Sequence, residues 1–139
     1  MKNEESSPDR GATRSRAVAT TVLMVATFMD LMDSTITNVA LPTIGKDLHA
    51  TPEQLEWTLA GYVIAFATLL LTGGRLGDIF GHRRIFVIGI VGFTLASLGA
   101  ALSQTGDLLV AARVLQGGFA GIMVPQVLSS VQVMFAPEE

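Results

Sequence analysis

Three ionisable side chains stand inside otherwise apolar stretches of this 139-residue sequence. Asp30 and Asp33 follow the uncharged residues 17–29 within one apolar stretch. Arg113 is the only charged residue of another apolar stretch much later in the chain. A carboxylate and a guanidinium in such surroundings can form a pair that gains and loses a proton or meets a charged substrate. Two other interpretations stay open: a purely structural ion pair, or an arginine whose long side chain reaches back to a polar surface.

The stretches that carry these charges belong to a set of four apolar segments. Their approximate bounds are 17–41, 57–74, 85–102 and 108–136. About 20 apolar residues in a helix cross the roughly 30 Å hydrocarbon core of a bilayer, and the second and third segments lack the polar face of a soluble protein's helix. Three segments follow the first, which argues against a cleaved secretory signal. The sequence therefore predicts an all-α integral membrane protein with four transmembrane helices in a lipid bilayer.

The composition excludes several classes of function. Charged residues make up only 15% of the chain, against about 25% in soluble domains, and the net charge of -3 offers no footprint for nucleic acid. The absence of cysteine removes thiolate chemistry and cysteine zinc sites. No Gly-x-Ser-x-Gly motif is present, and His49 and His82 fall on opposite sides of the predicted membrane. We therefore expect no metal site, no cofactor and no catalytic residue, and a membrane enzyme is the weakest alternative.

Basic residues predict the orientation of the segments. Residues 1–16, which we expect to be a disordered tail, hold four of them, and the turn at 75–84 holds three. The loop between the first and second segments holds only Lys46, and the loop between the third and fourth holds none. By the positive-inside rule, the tail and the turn face the cytoplasm. The chain is then a multi-pass protein of the cell membrane with a cytoplasmic N-terminus.

The depths of the buried charges predict that two of them meet. Asp33 lies sixteen residues after Ala17, about 24 Å above the cytoplasmic end at 1.5 Å per residue. Arg113 lies five residues after Leu108, about 7–8 Å below the outer end. In a core of roughly 30 Å these depths nearly coincide, so Asp33 and Arg113 can pair if the first and fourth helices touch. Asp30 lies about one turn deeper, close to the same face.

Glycine, proline and capping residues predict how the helices begin, end and approach each other. Glycines in the segment 74–84 permit a tight reversal between the second and third helices, while Gly117 and Gly121 have the spacing that lets two helices pack closely. Pro42 is expected to close the first helix, and Pro125 to kink the fourth. A capping pattern at 51–54 predicts the start of the second helix. Two aromatic residues, Trp57 and Tyr62, lie at the beginning of that span. Trp57 fits an anchor at the membrane interface, and contact with substrate is an alternative role for either residue.

Three segments together resemble the major facilitator superfamily, and within it the drug:proton antiporters with fourteen spans. Residues 32–42 are similar to the first-helix motif Leu-Asp-x-Thr-Val/Ile-x-Asn-Val-Ala-Leu-Pro. Residues 74–84 are similar to the turn motif Gly-x-Leu-Ala/Gly-Asp-Arg-x-Gly-Arg-Lys/Arg, and residues 110–117 to the fourth-helix motif Leu-x-x-Arg-x-x-Gln-Gly. Departures from these patterns include Met32, Ile79 and His82. Phe119 stands where a further glycine is expected two places after Gly117.

The resemblance implies a role for each matched residue. Protons would be the coupling ion, exchanged for amphipathic or cationic small molecules that leave the cytoplasm of a bacterium. The group implied in proton coupling consists of Asp33 and Arg113, with Asp30 beside them. The gating turn would comprise Gly74, Gly77, Asp78, Gly81, Arg83 and Arg84. Packing near the pathway would involve Gln116 and Gly117. We also expect Pro125, which lies outside the matched motifs, to contribute to that packing.

The resemblance also implies more protein than these residues supply. Family members have two six-helix halves, and residues 17–139 would form only the first part of the N-terminal half. We expect a truncated product or a partial gene model, inactive unless the missing C-terminal helices of the same transporter complete it. Two alternatives stay open: a non-functional remnant, or a small membrane protein that works as an oligomer or accessory subunit, with Gly117 and Gly121 at its interface.

Overall fold

The computed structural model describes residues 10–135, which form four α-helices in chain order. Their bounds are α1 (Arg10–Asp47), α2 (Pro52–Phe80), α3 (His82–Ala101) and α4 (Gly106–Phe135). Each helix is long and apolar enough to cross a membrane. This result confirms the predicted all-α fold with four transmembrane helices.

Helix α4 forms the centre of the described structure. It packs along both α2 and α3, whereas α1 touches α2 and α4 at only a few places. About 50% of the α4 span is buried, compared with 11% of the α1 span. Large apolar side chains cover the outer surface, with Leu71 84% and Val39 77% exposed. A bilayer, in which such side chains are at no disadvantage, is the solvent that this surface fits.

Glycines set the close approach of α4 to α2. A Cβ added at Gly117 would collide with the backbone carbonyl of Tyr62, and one at Gly121 would lie 2.5 Å from the carbonyl oxygen of Phe66. The predicted close packing at this glycine pair is therefore confirmed. The partner is α2 of the same chain, so this pair is already covered and is not free to form an interface between copies.

Helix α1 is longer at both ends than the sequence predicts. It begins at Arg10, so the described part of the expected disordered tail is helical, and the expectation for residues 1–9 lies outside the described residues. Alanine and arginine between 10 and 19 are strong helix formers, which explains the early start. Pro42 does not close the helix, which continues to Asp47. A proline removes one backbone hydrogen bond, here to the carbonyl of Asn38, and a membrane-spanning helix tolerates that loss.

The segment expected as a turn, 75–84, is almost entirely helical. Helix α2 continues to Phe80, Gly81 alone makes the reversal with φ of 93°, and α3 starts at His82. The Gly81 N–H donates to the carbonyl of Gly77 at 2.8 Å. At the other end of α2, Thr51 and Gln54 form the predicted capping box. This cap extends the helix upstream of the apolar span, because it satisfies backbone N–H groups that hydropathy does not register.

Candidate functional site

A buried ion pair joins the first and last helices. Arg113 Nη1 donates to Asp33 Oδ2 at 2.5 Å, and Arg113 is only 3% exposed. The pair confirms the meeting of these two residues predicted from their depths. It also shows that the alternative in which Arg113 reaches back to a polar surface is wrong.

The second carboxylate of α1 has a different partner. The Tyr62 hydroxyl donates to Asp30 Oδ1 at 2.5 Å, and the Arg113 guanidinium lies over the Tyr62 ring, 4.3 Å from its centroid. Tyr62 therefore contacts both Asp30 and Arg113. The sequence drew attention to Tyr62 only as an aromatic residue at the start of a span. The sharper signal was that it is the single tyrosine of the chain, in a span without charge.

Gln116 completes this cluster from the next turn of α4. Its Oε1 accepts a hydrogen bond from Arg113 Nη1 at 2.8 Å, and the residue is fully buried. Arg113 Nε and Gln116 Nε2 find no acceptor among the described residues. The cluster therefore retains donor capacity for an oxygen atom that enters it.

Local packing brings these side chains together. Asp30 and Asp33 share one face of α1 because they are three residues apart in a helix. Gly117 lets α4 approach the backbone of Tyr62, so Arg113, about one turn earlier on α4, reaches the face of the Tyr62 ring. The Tyr62 ring also stacks on Phe66, with centroids 6.4 Å apart. The close glycine contact is thus what positions the charged cluster.

A second polar cluster lies thirteen residues further along α4, roughly 20 Å at the helical rise. Gln126 Nε2 donates to the carbonyls of Gly73, at 2.6 Å, and Ile122, at 3.0 Å. Its Oε1 therefore faces His82 Nδ1, at 2.6 Å, and the other ring nitrogen of His82 lies 3.4 Å from Asp78 Oδ1. Sequence analysis missed Gln126, although a glutamine in an apolar span was a signal that could have marked it.

Some of the residues predicted to form a gating turn lie in this second cluster, and others lie at the surface. Gly77 lies against Gln126 and His82, and a Cβ at Gly74 would lie 3.8 Å from Pro125. Arg83 and Arg84 are exposed. Pro125 is therefore near the turn and away from Gln116 and Gly117, with which it was grouped. Helix α4 continues through Pro125, and the kink stays a prediction. Within residues 10–135, no cluster of metal-ligating side chains occurs.

Comparison with known proteins identifies the family. The family model described as Major Facilitator Superfamily matches residues 23–139. The chain belongs to the Major Facilitator Superfamily. Its transporters are carriers, not enzymes, and generally need no cofactor. The matched region contains both polar clusters.

Relatives within the Major Facilitator Superfamily carry names of exporters and resistance proteins. The probable actinorhodin transporter of Streptomyces coelicolor is 46% identical over 89% of this chain and 22% of its own length. The tetracenomycin C resistance and export protein of Streptomyces glaucescens is 44% identical over 87% of this chain and 22% of its own. The probable multidrug resistance protein EmrY of Escherichia coli is 38% identical over 86% of this chain and 23% of its own length. The resemblance to drug exporters is confirmed, and the chain spans less than a quarter of these relatives.

Proposed function

We propose that these four helices form the first part of an exporter that expels amphipathic or cationic compounds in exchange for protons. The observation that carries the proposal is the group formed by buried Arg113 and the partly buried Asp33 and Asp30 within the bundle. A charge within the hydrocarbon costs about 2.5–3.5 kcal/mol on insertion scales, so ionisable groups there mark ion or substrate pathways. The names of the relatives as export and resistance proteins support the substrate class.

Placement in the membrane follows from the charges. The exposed arginines at 75, 83 and 84 favour a cytoplasmic position for the α2–α3 reversal. The N-terminus would then be cytoplasmic as well, in the plasma membrane of a bacterium. The turn residues with Gln126 would act as the cytoplasmic gate, because they tie the end of α2 and the start of α3 to α4.

Transport would require helices beyond these residues. Transporters of this kind bind substrate at the interface of structural repeats, and α1 leaves most of its surface uncovered here. Residues 17–139 would thus be the N-terminal portion of the transporter domain, and the 139 residues alone would be inactive. The bound partners would be lipid, the remaining helices and the exported compound.

The test uses the complete reading frame that contains these residues, expressed in a bacterium stripped of its own exporters. We expect efflux of a fluorescent cationic dye, its collapse when a protonophore is added, and its loss in Asp33→Asn. Asp47→Asn, at the exposed end of α1, is the matched control and should retain efflux. Efflux that withstands both the protonophore and Asp33→Asn would refute proton antiport by this cluster. The 139-residue chain expressed alone should give no efflux.

A further inference from the structure

We propose that the two carboxylates of the cluster have different tasks: Asp30 carries the exchanged proton, Asp33 is the permanent counter-ion of Arg113, and Tyr62 is the positioning residue that separates them. The inference rests on the proposed function and deepens it, since the family resemblance places proton coupling first on Asp33. It follows from the charge balance and the partners of each group.

The charge balance comes first. Helix α1 contributes Asp30 and Asp33 to the cluster, α2 contributes Tyr62, and α4 contributes Arg113. Other charged residues of α2 and α4, among those described, lie towards the helix ends: Glu53, Glu56, Arg75, Asp78 and Asp107. One cation thus faces two carboxylates. Because net charge within the hydrocarbon is costly, one of the carboxylates holds a proton when the cluster is neutral.

The partners decide which carboxylate it is. Asp33 accepts a charge-assisted hydrogen bond from the guanidinium, and such a partner favours the ionised form. Asp30 accepts from the neutral Tyr62 hydroxyl. A hydroxyl can also donate to the carbonyl oxygen of a protonated carboxyl group, although that bond is weaker than one to a carboxylate. Asp30 can therefore gain or lose its proton without breaking the bond that holds it in place.

Tyr62 keeps the two partnerships apart. Its ring lies under the guanidinium, a favourable cation–π contact, while its hydroxyl donates to Asp30. The side chain is 8% exposed and stacked on Phe66, so it has little freedom to turn. Arg113 is thereby directed to Asp33. When Asp30 releases its proton, the cluster gains a net negative charge that attracts a cationic substrate, which links proton release to substrate binding.

Carbodiimide labelling of the complete protein that contains these residues, reconstituted in lipid vesicles, tests this division. Dicyclohexylcarbodiimide reacts with protonated carboxyl groups in apolar surroundings, and fragmentation of the labelled peptide by mass spectrometry distinguishes Asp30 from Asp33. We expect the adduct on Asp30. Asp30→Asn should abolish labelling of the peptide, and Asp47→Asn should leave it unchanged. An adduct on Asp33, or none on either residue, would overturn the inference.

Infrared spectroscopy tests the part played by Tyr62. The carbonyl stretch of a protonated carboxyl group rises in frequency when a hydrogen bond to its oxygen is lost. We expect Tyr62→Phe to shift that band upward, and an unshifted band would overturn the positioning role. The wild-type adduct localises the proton without any variant, so a misfolded Asp30→Asn leaves the test intact. Because neither readout needs transport, loss of export by the complete protein would refute the proposed function separately.

Discussion

Arg113 makes three contacts that differ in kind: an ion pair with Asp33, a hydrogen bond to Gln116 and a stacked contact with the Tyr62 ring. A planar guanidinium can make all three at once, whereas the compact ammonium of lysine offers no flat face. The arginine is thus tied to α1, to α2 and to its own helix. At the scale of single residues, it is the group through which the cluster holds these helices in register.

Replacing Arg113 alone should therefore lower the free energy of unfolding more than replacing Arg113 and Asp33 together. Arg113→Met leaves the partly buried Asp33 without its cation, and we expect a loss of roughly 1–3 kcal/mol in the free energy of unfolding. Asp33→Leu combined with Arg113→Met should recover most of it, because no lone charge remains. Denaturant titration in mild detergent at mildly alkaline pH measures both. Arg75→Met, at an exposed position, is the control; a double variant as unstable as Arg113→Met would refute the argument.

The sequence predicted some partners in this cluster and not others for a physical reason. The Asp33–Arg113 pair could be predicted because the helical rise is fixed, so position along the chain gives depth. The contacts of Tyr62 and Gln126 depend on how each helix is rotated about its axis. That rotation is set by which glycines face a neighbouring backbone, and spacing alone does not say which neighbour they face.

The close contact between α2 and α4 depends on glycines of α4, which have no side chain to keep the two backbones apart. A methyl group at Gly121 would press on the backbone of Phe66, with the carbonyl oxygen 2.5 Å away, and backbone cannot yield as a side chain can. Gly121→Ala should lower the free energy of unfolding by about 1–3 kcal/mol. Thermal unfolding followed by circular dichroism measures it. Gly99→Ala, whose Cβ would lie an ordinary 3.9 Å from Ala112, should change little; equal effects would refute the explanation.

The reversal between α2 and α3 depends on a single glycine. Gly81 has φ of 93° and ψ of 127°, a conformation that L-residues with a Cβ rarely adopt. Gly81→Ala should destabilise this reversal by about 1–3 kcal/mol, visible as faster hydrogen exchange at residues 77–84. Gly74→Ala, in the same segment and with its nearest contact at 3.8 Å, should exchange as the unmodified chain does. If the two variants exchange alike, the strain argument fails.

Helix ends were the least predictable elements. Hydropathy marks the part of a helix that faces lipid, while hydrogen bonding decides where the helix stops. Helix α2 starts five residues before its apolar span because of the Thr51 capping box, and α1 passes through Pro42 to Asp47. The number and order of the helices could be predicted, because a long apolar segment in a bilayer satisfies its backbone hydrogen bonds by forming a helix.

The four described helices are packed unequally, with α1 held less closely than the others. Three helices pack around α4, but α1 is attached mainly through its acidic residues and a few apolar contacts. A helix whose polar groups are bonded at a few points can change its tilt at smaller cost than one held along its length. If the proposed function holds, the charged cluster would couple the protonation of one carboxylate to the position of an entire helix.

Orientation in the membrane is the last property that the whole molecule fixes, and the cysteine-free sequence makes it directly measurable. Gln104 is exposed between α3 and α4, and Ile79 is exposed near the end of α2. We expect a membrane-impermeant maleimide to label Gln104→Cys in intact cells and Ile79→Cys only after permeabilisation. Arginines at 75, 83 and 84 should hold the Ile79 side in the cytoplasm, while the α3–α4 loop carries no basic residue. The reverse pattern would overturn the proposed topology.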